Sequence, residues 1–157
     1  MHRLKTLLLL MLLLVGVPRL TLASDIAVVA NADVPVNNLS LAELRKLVLG
    51  DRQFWRSDLR VSLLIRAPNA RERNIVLNRI CQMTEAQFRQ YWIGKVFRAE
   101  SPVGPKTVYS SDMAISMAST IPGSLTFVDA ANVPKGLKVI RIEGFLPGER
   151  DYPLNKE

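Results

Sequence analysis

Two turns in this sequence gather residue types suited to holding an anion. In "SLLIRAPNARERNIVL", Ser62 to Leu77, an apolar run ends at Ile65, a Pro-Asn break follows, and a helix opens with Arg71 and Arg73. In "TVYSSDMAISMAST" a short strand gives way to a helix with Ser110 or Ser111 at its cap and Asp112 in its first turn. A helix N-terminus offers free backbone N–H groups and a partial positive charge. An arginine adds a fork that pairs bidentately with phosphate or a carboxylate, and Asn69, Ser110 and Ser111 can add neutral hydrogen bonds. The candidate ligand-binding set is therefore Arg66, Asn69, Ala70, Arg71, Ser110, Ser111 and Asp112.

Each turn also has an explanation that needs no ligand. Asn69 as cap, with Glu72 reaching back, accounts for a helix start. Arg71 and Arg73, two positions apart, point to different helix faces and are not jointly aimed by spacing. Asp112 complements the helix dipole. If Asp112 does meet the ligand, it repels a fully ionised anion and accepts a hydrogen bond from a protonated one, which favours hydrogen phosphate over sulfate.

What the sequence lacks is equally informative. His2, the sole histidine, lies in the segment read below as a cleaved leader and leaves with it, and Cys81 is the sole cysteine. Ser-His and Cys-His catalytic pairs, a histidine zinc site and an intrachain disulfide are thereby excluded. No spacing assembles an activated nucleophile from the remaining residues, so neither enzyme chemistry nor a metal or other cofactor is expected. Cys81 lies in an apolar helical stretch and reads as a small buried hydrophobe, with an intermolecular disulfide as the other reading.

The elements that must position these residues follow a leader. "MHRLKTLLLLMLLLVGVPRLTLAS" has a basic start at Arg3 and Lys5, an apolar core from Leu7 to Val17 and a small-residue site at Thr21-Leu22-Ala23. It reads as a signal peptide over residues 1–23, cleaved after Ala23. An uncleaved anchor is the alternative, but the core is shorter than the roughly 20 residues of a membrane span. Residues 24–157 are then one domain acting in the periplasm or outside the cell. Removing the leader takes three cations and none of the 14 acidic residues, so the formal charge falls from +7 to +4. That modest excess suits a small anion or an anionic surface; no basic run interleaved with aromatics argues for nucleic acid.

"DIAVVAN" reads as a buried strand and "NADVPVNN" as a loop. Ser40 and Glu43 form a capping box, Leu41, Leu44, Leu47 and Val48 an apolar face, and Gly50 a left-handed stop. "DRQFWRSD" is a surface connection anchored by Phe54 and Trp55, and "LRVSLLI" a strand ending at Ile65. The following helix buries Ile75, Val76, Ile80 and Met83. Thr84 and Gln87 open a further helix, on which Phe88, Tyr91 and Trp92 read as packing residues. "SLTFVDA" and "LKVIRIEG" are strands, and the tail from about residue 145 has no clear period, so it is expected to be extended and partly mobile. Strands alternating with helices at these lengths indicate an α/β domain with a largely parallel or mixed central sheet flanked by helices.

Two segments, "VNNLSLAELRKLVLGDRQFW" and "SMASTIPGSLTFVDA", resemble the substrate-binding proteins of phosphate ABC transporters. The first is similar to the family's capped helix, apolar-glycine ending and tryptophan; the second to its helix, Pro-Gly turn and small-apolar strand. The resemblance implies a type 2 periplasmic-binding-protein-like fold and a solute-binding function, with phosphate as the expected anion. Full receptors of the family are about twice as long and close two lobes around the ligand, whereas this chain has material for roughly one lobe. Where they carry a Ser-Gly-Thr phosphate loop, this sequence has "APNAR", Ala67 to Arg71. A homodimer or a partner protein is expected to supply the missing wall. The alternative is an interaction or sensory module that no longer binds solute and docks to a membrane transporter or sensor.

Overall fold

The computed structural model describes residues 24–155, so the expected leader lies outside the described residues. The chain runs through β1 (Ile26–Ala30), β2 (Asn38–Leu39), α1 (Leu41–Val48), β3 (Phe54–Arg56), β4 (Leu59–Arg60) and β5 (Ser62–Arg66). It continues through α2 (Arg71–Ile75), a π-helical turn (Val76–Cys81), α3 (Glu85–Phe97), β6 (Lys106–Val108), α4 (Ser111–Thr120), β7 (Ser124–Asp129) and β8 (Lys138–Ile142).

Six strands form one sheet in the order β2-β8-β1-β7-β5-β6. It is mixed: β1 pairs antiparallel with β7 and β8, while β5 runs parallel to both β7 and β6, and β2 parallel to β8. β1 is buried along its whole length because it lies between two strands and under helices on both faces. Its side chains still alternate, as the two-residue period of a strand requires. Ile26, Val28 and Ala30 join the core beneath α1, α2 and α3, whereas Ala27 and Val29 join the smaller core under α4 with Ala114 and Ala118.

Local signals explain most helix ends. Both capping boxes form, Ser40 with Glu43 and Thr84 with Gln87. Gly50 takes φ +70°, and a Cβ there would stand 2.4 Å from Cη2 of Trp92, so this glycine both ends α1 and admits the indole. Lys95 of α3 donates to Asp51 at 2.6 Å and Tyr91 to the Leu49 carbonyl at 3.0 Å, which ties α3 to the end of α1.

Three expectations change. The helix after Ala70 is not α-helical throughout: from Val76 it widens into a π turn that keeps two adjacent pairs, Val76-Leu77 and Ile80-Cys81, all buried. Residues 54–60 form a small hairpin rather than a plain connection, with the Trp55 indole donating to the Gly123 carbonyl at 2.8 Å. The tail has no helix or strand, yet it is held. Tyr152 and Leu154 are buried, the Ile26 amide donates to the Leu154 carbonyl at 2.9 Å, and the Tyr152 hydroxyl donates to the Ile26 carbonyl at 2.6 Å. Two buried side chains anchor a segment whose sequence carries no period for them to stand out in.

Gly50 and Gly136 both have left-handed backbones, but a Cβ at Gly136 meets nothing within 4 Å. Gly136→Ala should therefore cost only backbone strain, about 1 kcal/mol. Gly50→Ala adds a collision with Trp92 and should cost about 2 to 4 kcal/mol. Urea unfolding of the two variants against the parent measures the difference.

Candidate anion site

Strands β5 and β6 are parallel and end side by side, with Arg66 opposite Val108. Each turns into a helix within a few residues, so the N-termini of α2 and α4 are delivered to the same edge of the sheet, beyond the carboxyl ends of its strands. This is where ligands bind in open α/β sheets. The Ala67 amide extends the ladder by donating to the Val108 carbonyl at 3.0 Å, which holds the two turns together.

Arg66 occupies the junction. Its Nη1 donates to Glu72 Oε1 at 2.9 Å and to Ser111 Oγ at 3.0 Å, so one guanidinium joins the first turns of both helices. Its backbone carbonyl accepts from Arg73 Nη1 at 2.9 Å. The side chain is 14% exposed, and its Nε is buried without an acceptor. A buried donor without a partner is costly, about 1 to 3 kcal/mol, and this one belongs to a cation.

The backbone adds further donors. In α4 the first intrahelical bond is from the Ala114 amide to the Ser110 carbonyl, and the Met113 amide is capped by the Ser110 hydroxyl. The amides of Ser111 and Asp112 therefore precede any intrahelical partner. In α2 the first such bond is from Asn74 to Ala70, leaving the amides of Arg71, Glu72 and Arg73 ahead of it.

The seven residues singled out in the sequence separate into groups. Arg66, Ser110 and Ser111 come together at the junction. Ala70 is the N-cap of α2 and, being alanine, supplies no side-chain cap. Asn69 is exposed with φ +70°, one residue before the cap, so it does not cap the helix as its type suggests, and Glu72 is drawn to Arg66 instead of reaching back. Asp112 lies exposed in the first turn of α4. Arg71 points elsewhere: it donates to Asp129 Oδ2 at 3.1 Å and to the Ser24 carbonyl, fastening the start of the described chain to the end of β7. Burial pushes the Asp129 carboxyl up, but hydrogen bonds from the Ser24 hydroxyl and the Ala131 amide, together with the Arg71 charge, outweigh it and leave it below its ordinary value.

Glu72 is the participant that sequence reasoning missed, because a glutamate three residues after Asn69 fits a capping box so readily. Arg73 is also diverted. It grips both Glu85 oxygens at 2.8 and 2.7 Å and lies 5.4 Å from the centre of the Phe88 ring. This bond from Arg73 holds the Glu85 carboxyl below its ordinary range. Cys81 takes no part: burial pushes its thiol up to about 12, which leaves it protonated and inert at neutral pH.

A group whose pKa is lowered on folding contributes stability above its unfolded value, and that contribution is lost as pH falls through the folded value. Glu85→Gln should accordingly lower the urea midpoint at pH 7 and leave it unchanged at a pH below the folded pKa of Glu85, where the parent carboxyl is also neutral. Unfolding curves at pH 7 and pH 2 test the sign. Cys81 should resist aromatic disulfide reagents at pH 8 in the folded protein and react at once in denaturant.

No family model matches the chain. Solved structures do share its fold. One is a putative phosphate ABC transporter substrate-binding protein with bound phosphate from Clostridium perfringens, with a TM-score of 0.62 and 14% identity over 77% of this chain and 46% of that one. An ABC-type phosphate transport receptor from Vibrio cholerae gives 0.63 and 20% over 79% and 48%. PstS from Borrelia burgdorferi gives 0.68 and 16% over 85% and 55%. The likeness is one of fold, and the chain spans about half the length of these structures.

Proposed function

We propose that this domain, built on the fold of phosphate-transport receptors, binds a small oxyanion, phosphate foremost, at the junction of β5, β6, α2 and α4. It would do so in the periplasm or outside the cell, as part of an ABC transporter uptake system or derived from one. The observation that carries the reading is the buried Arg66 Nε without an acceptor, on a guanidinium whose Nη1 joins the first turns of two helices. The folds it shares with receptors for phosphate support the choice of anion.

The chemistry follows from the residues. An oxyanion accepts from the Arg66 guanidinium, from the amides at the start of α4, and from the Ser111 hydroxyl, whose oxygen already accepts from Arg66 and whose hydrogen is free to donate. Glu72 sets selectivity in the way first considered for Asp112. Its carboxylate, 11% exposed beside Arg66, repels a fully ionised ligand and accepts from a protonated one. Hydrogen phosphate satisfies both neighbours and sulfate does not. No bond is made or broken, so the function is binding without catalysis. The described residues form one wall, and an anion on one wall keeps water beside it, where each charged contact is weaker.

A thermal-shift titration of the processed protein with phosphate and with sulfate at constant ionic strength tests this. Phosphate at about 100 times its dissociation constant should stabilise the fold by about 2.7 kcal/mol, with no response to sulfate. Arg66→Gln should weaken phosphate binding about tenfold or more, the scale of a charged hydrogen bond, and Glu72→Gln should admit sulfate. Arg71→Ala should lower the melting temperature and leave the affinity unchanged. The absence of a phosphate response in the folded parent protein would overturn the proposal.

A further inference from the structure

The outward face of α3 carries an apolar stripe that its own fold leaves uncovered. Phe97 is 89% exposed, Ile93 56% and Val96 39%, and Val103 in the following loop is 62% exposed. The α3 residues stand on the lip of a groove of about 840 Å³ floored by Ile65, Phe88 and Trp92, with Gly104, Pro105 and Thr107 as its far bank. The groove runs along β6, which has a strand neighbour on one side only. Contiguous exposed apolar surface of this kind marks an interaction site.

The charges decide what fits. Arg73 and Glu85 line the groove but are committed to each other. Arg89, exposed on the same lip, is in no ion pair within 4 Å among the described residues, and its charge acts on Glu85 one turn earlier only at longer range. Arg89, Ile93 and Phe97 are four residues apart, so they form one line along the helix. That line is self-complementary. When a second α3 lies antiparallel across it about a two-fold axis at Ile93, the residue four before the axis meets the residue four after it, twice.

We propose that this stripe is an isologous interface between two copies of the chain, with Ile93 against its counterpart and each Arg89 over the ring of the partner's Phe97. A cation within about 6 Å of a ring centre is attracted to its face, more strongly as water is excluded. A generic apolar ligand would fill the groove but would make no use of the cation-to-ring spacing, and two-fold closure uses both halves of it. A standard interface buries roughly 800 Å² on each partner, more than three side chains of one helix supply. The exposed Val103 beside the stripe would extend the contact, and a contact of this size is expected to dissociate on dilution. The groove extends to Pro68, so the partner copy borders the turn between Arg66 and Ala70.

Sedimentation equilibrium of the processed protein from low to high micromolar concentration tests the proposal, independently of anion binding. The expected result is a reversible monomer–dimer equilibrium. Phe97→Asp and Arg89→Glu should each give a monomer, and Phe97→Asp, which replaces an exposed side chain, should keep the parent melting behaviour of dilute protein. Phe97→Leu keeps the bulk and loses the ring face, and should raise the dimer dissociation constant about tenfold, two cation–π contacts being lost at once. A protein monomeric at every concentration would overturn the proposal. So would a dimer that persists unchanged in both Phe97→Asp and Arg89→Glu.

Discussion

The hydrogen bonds of Arg66 organise this end of the molecule. Its guanidinium reaches Glu72 on α2 and Ser111 on α4, and its carbonyl takes a bond from Arg73, whose fork then locks Glu85 at the start of α3. Three helices are thus oriented from the last residue of one strand. A largely buried ion pair gains little net stability once desolvation is counted, and losing one partner leaves the other charge stranded. The pair is better understood as a device for geometry than as a source of stability. It fixes where two helix N-termini point, and it leaves one cationic donor unmatched.

The same arrangement explains why α2 can begin without a side-chain cap. Ala70 contributes none, and Glu72, the residue that sequence pattern assigns to capping, is held by Arg66. The first amides of the helix are thus left without a side-chain cap. In α4, by contrast, Ser110 caps its own helix and Ser111 accepts from Arg66, so adjacent serines serve different partners.

How much of this was legible in the sequence depended on how local the cause was. The capping boxes at Ser40 and Thr84, the left-handed Gly50 and the strand of Ile26–Ala30 follow from short-range rules, and they formed as expected. The mixed sheet and the placing of two helix starts at the ends of β5 and β6 were also accessible, because alternating strands and helices put helix starts at strand ends. The partners of arginines were not. Arg66, Arg71 and Arg73 lie within eight residues, yet one serves the junction, one the start of β1 through Asp129 and Ser24, and one α3. Only three-dimensional neighbours distinguish them. The anchored tail was hidden for the same reason: Tyr152 and Leu154 find their pocket against β1, more than a hundred residues away in sequence.

The most direct test of the account is to watch the Arg66 side chain itself. In nitrogen–proton NMR spectra of the labelled protein, the Arg66 Nε–H resonance, assigned by its loss in Arg66→Lys, can be followed as phosphate is added. A saturable downfield shift of that proton with slowed exchange, produced by phosphate and not by sulfate at equal ionic strength, is the predicted result. A resonance that stays in place while phosphate binds elsewhere, or that does not respond to phosphate at all, would contradict the assignment of the junction as an anion site.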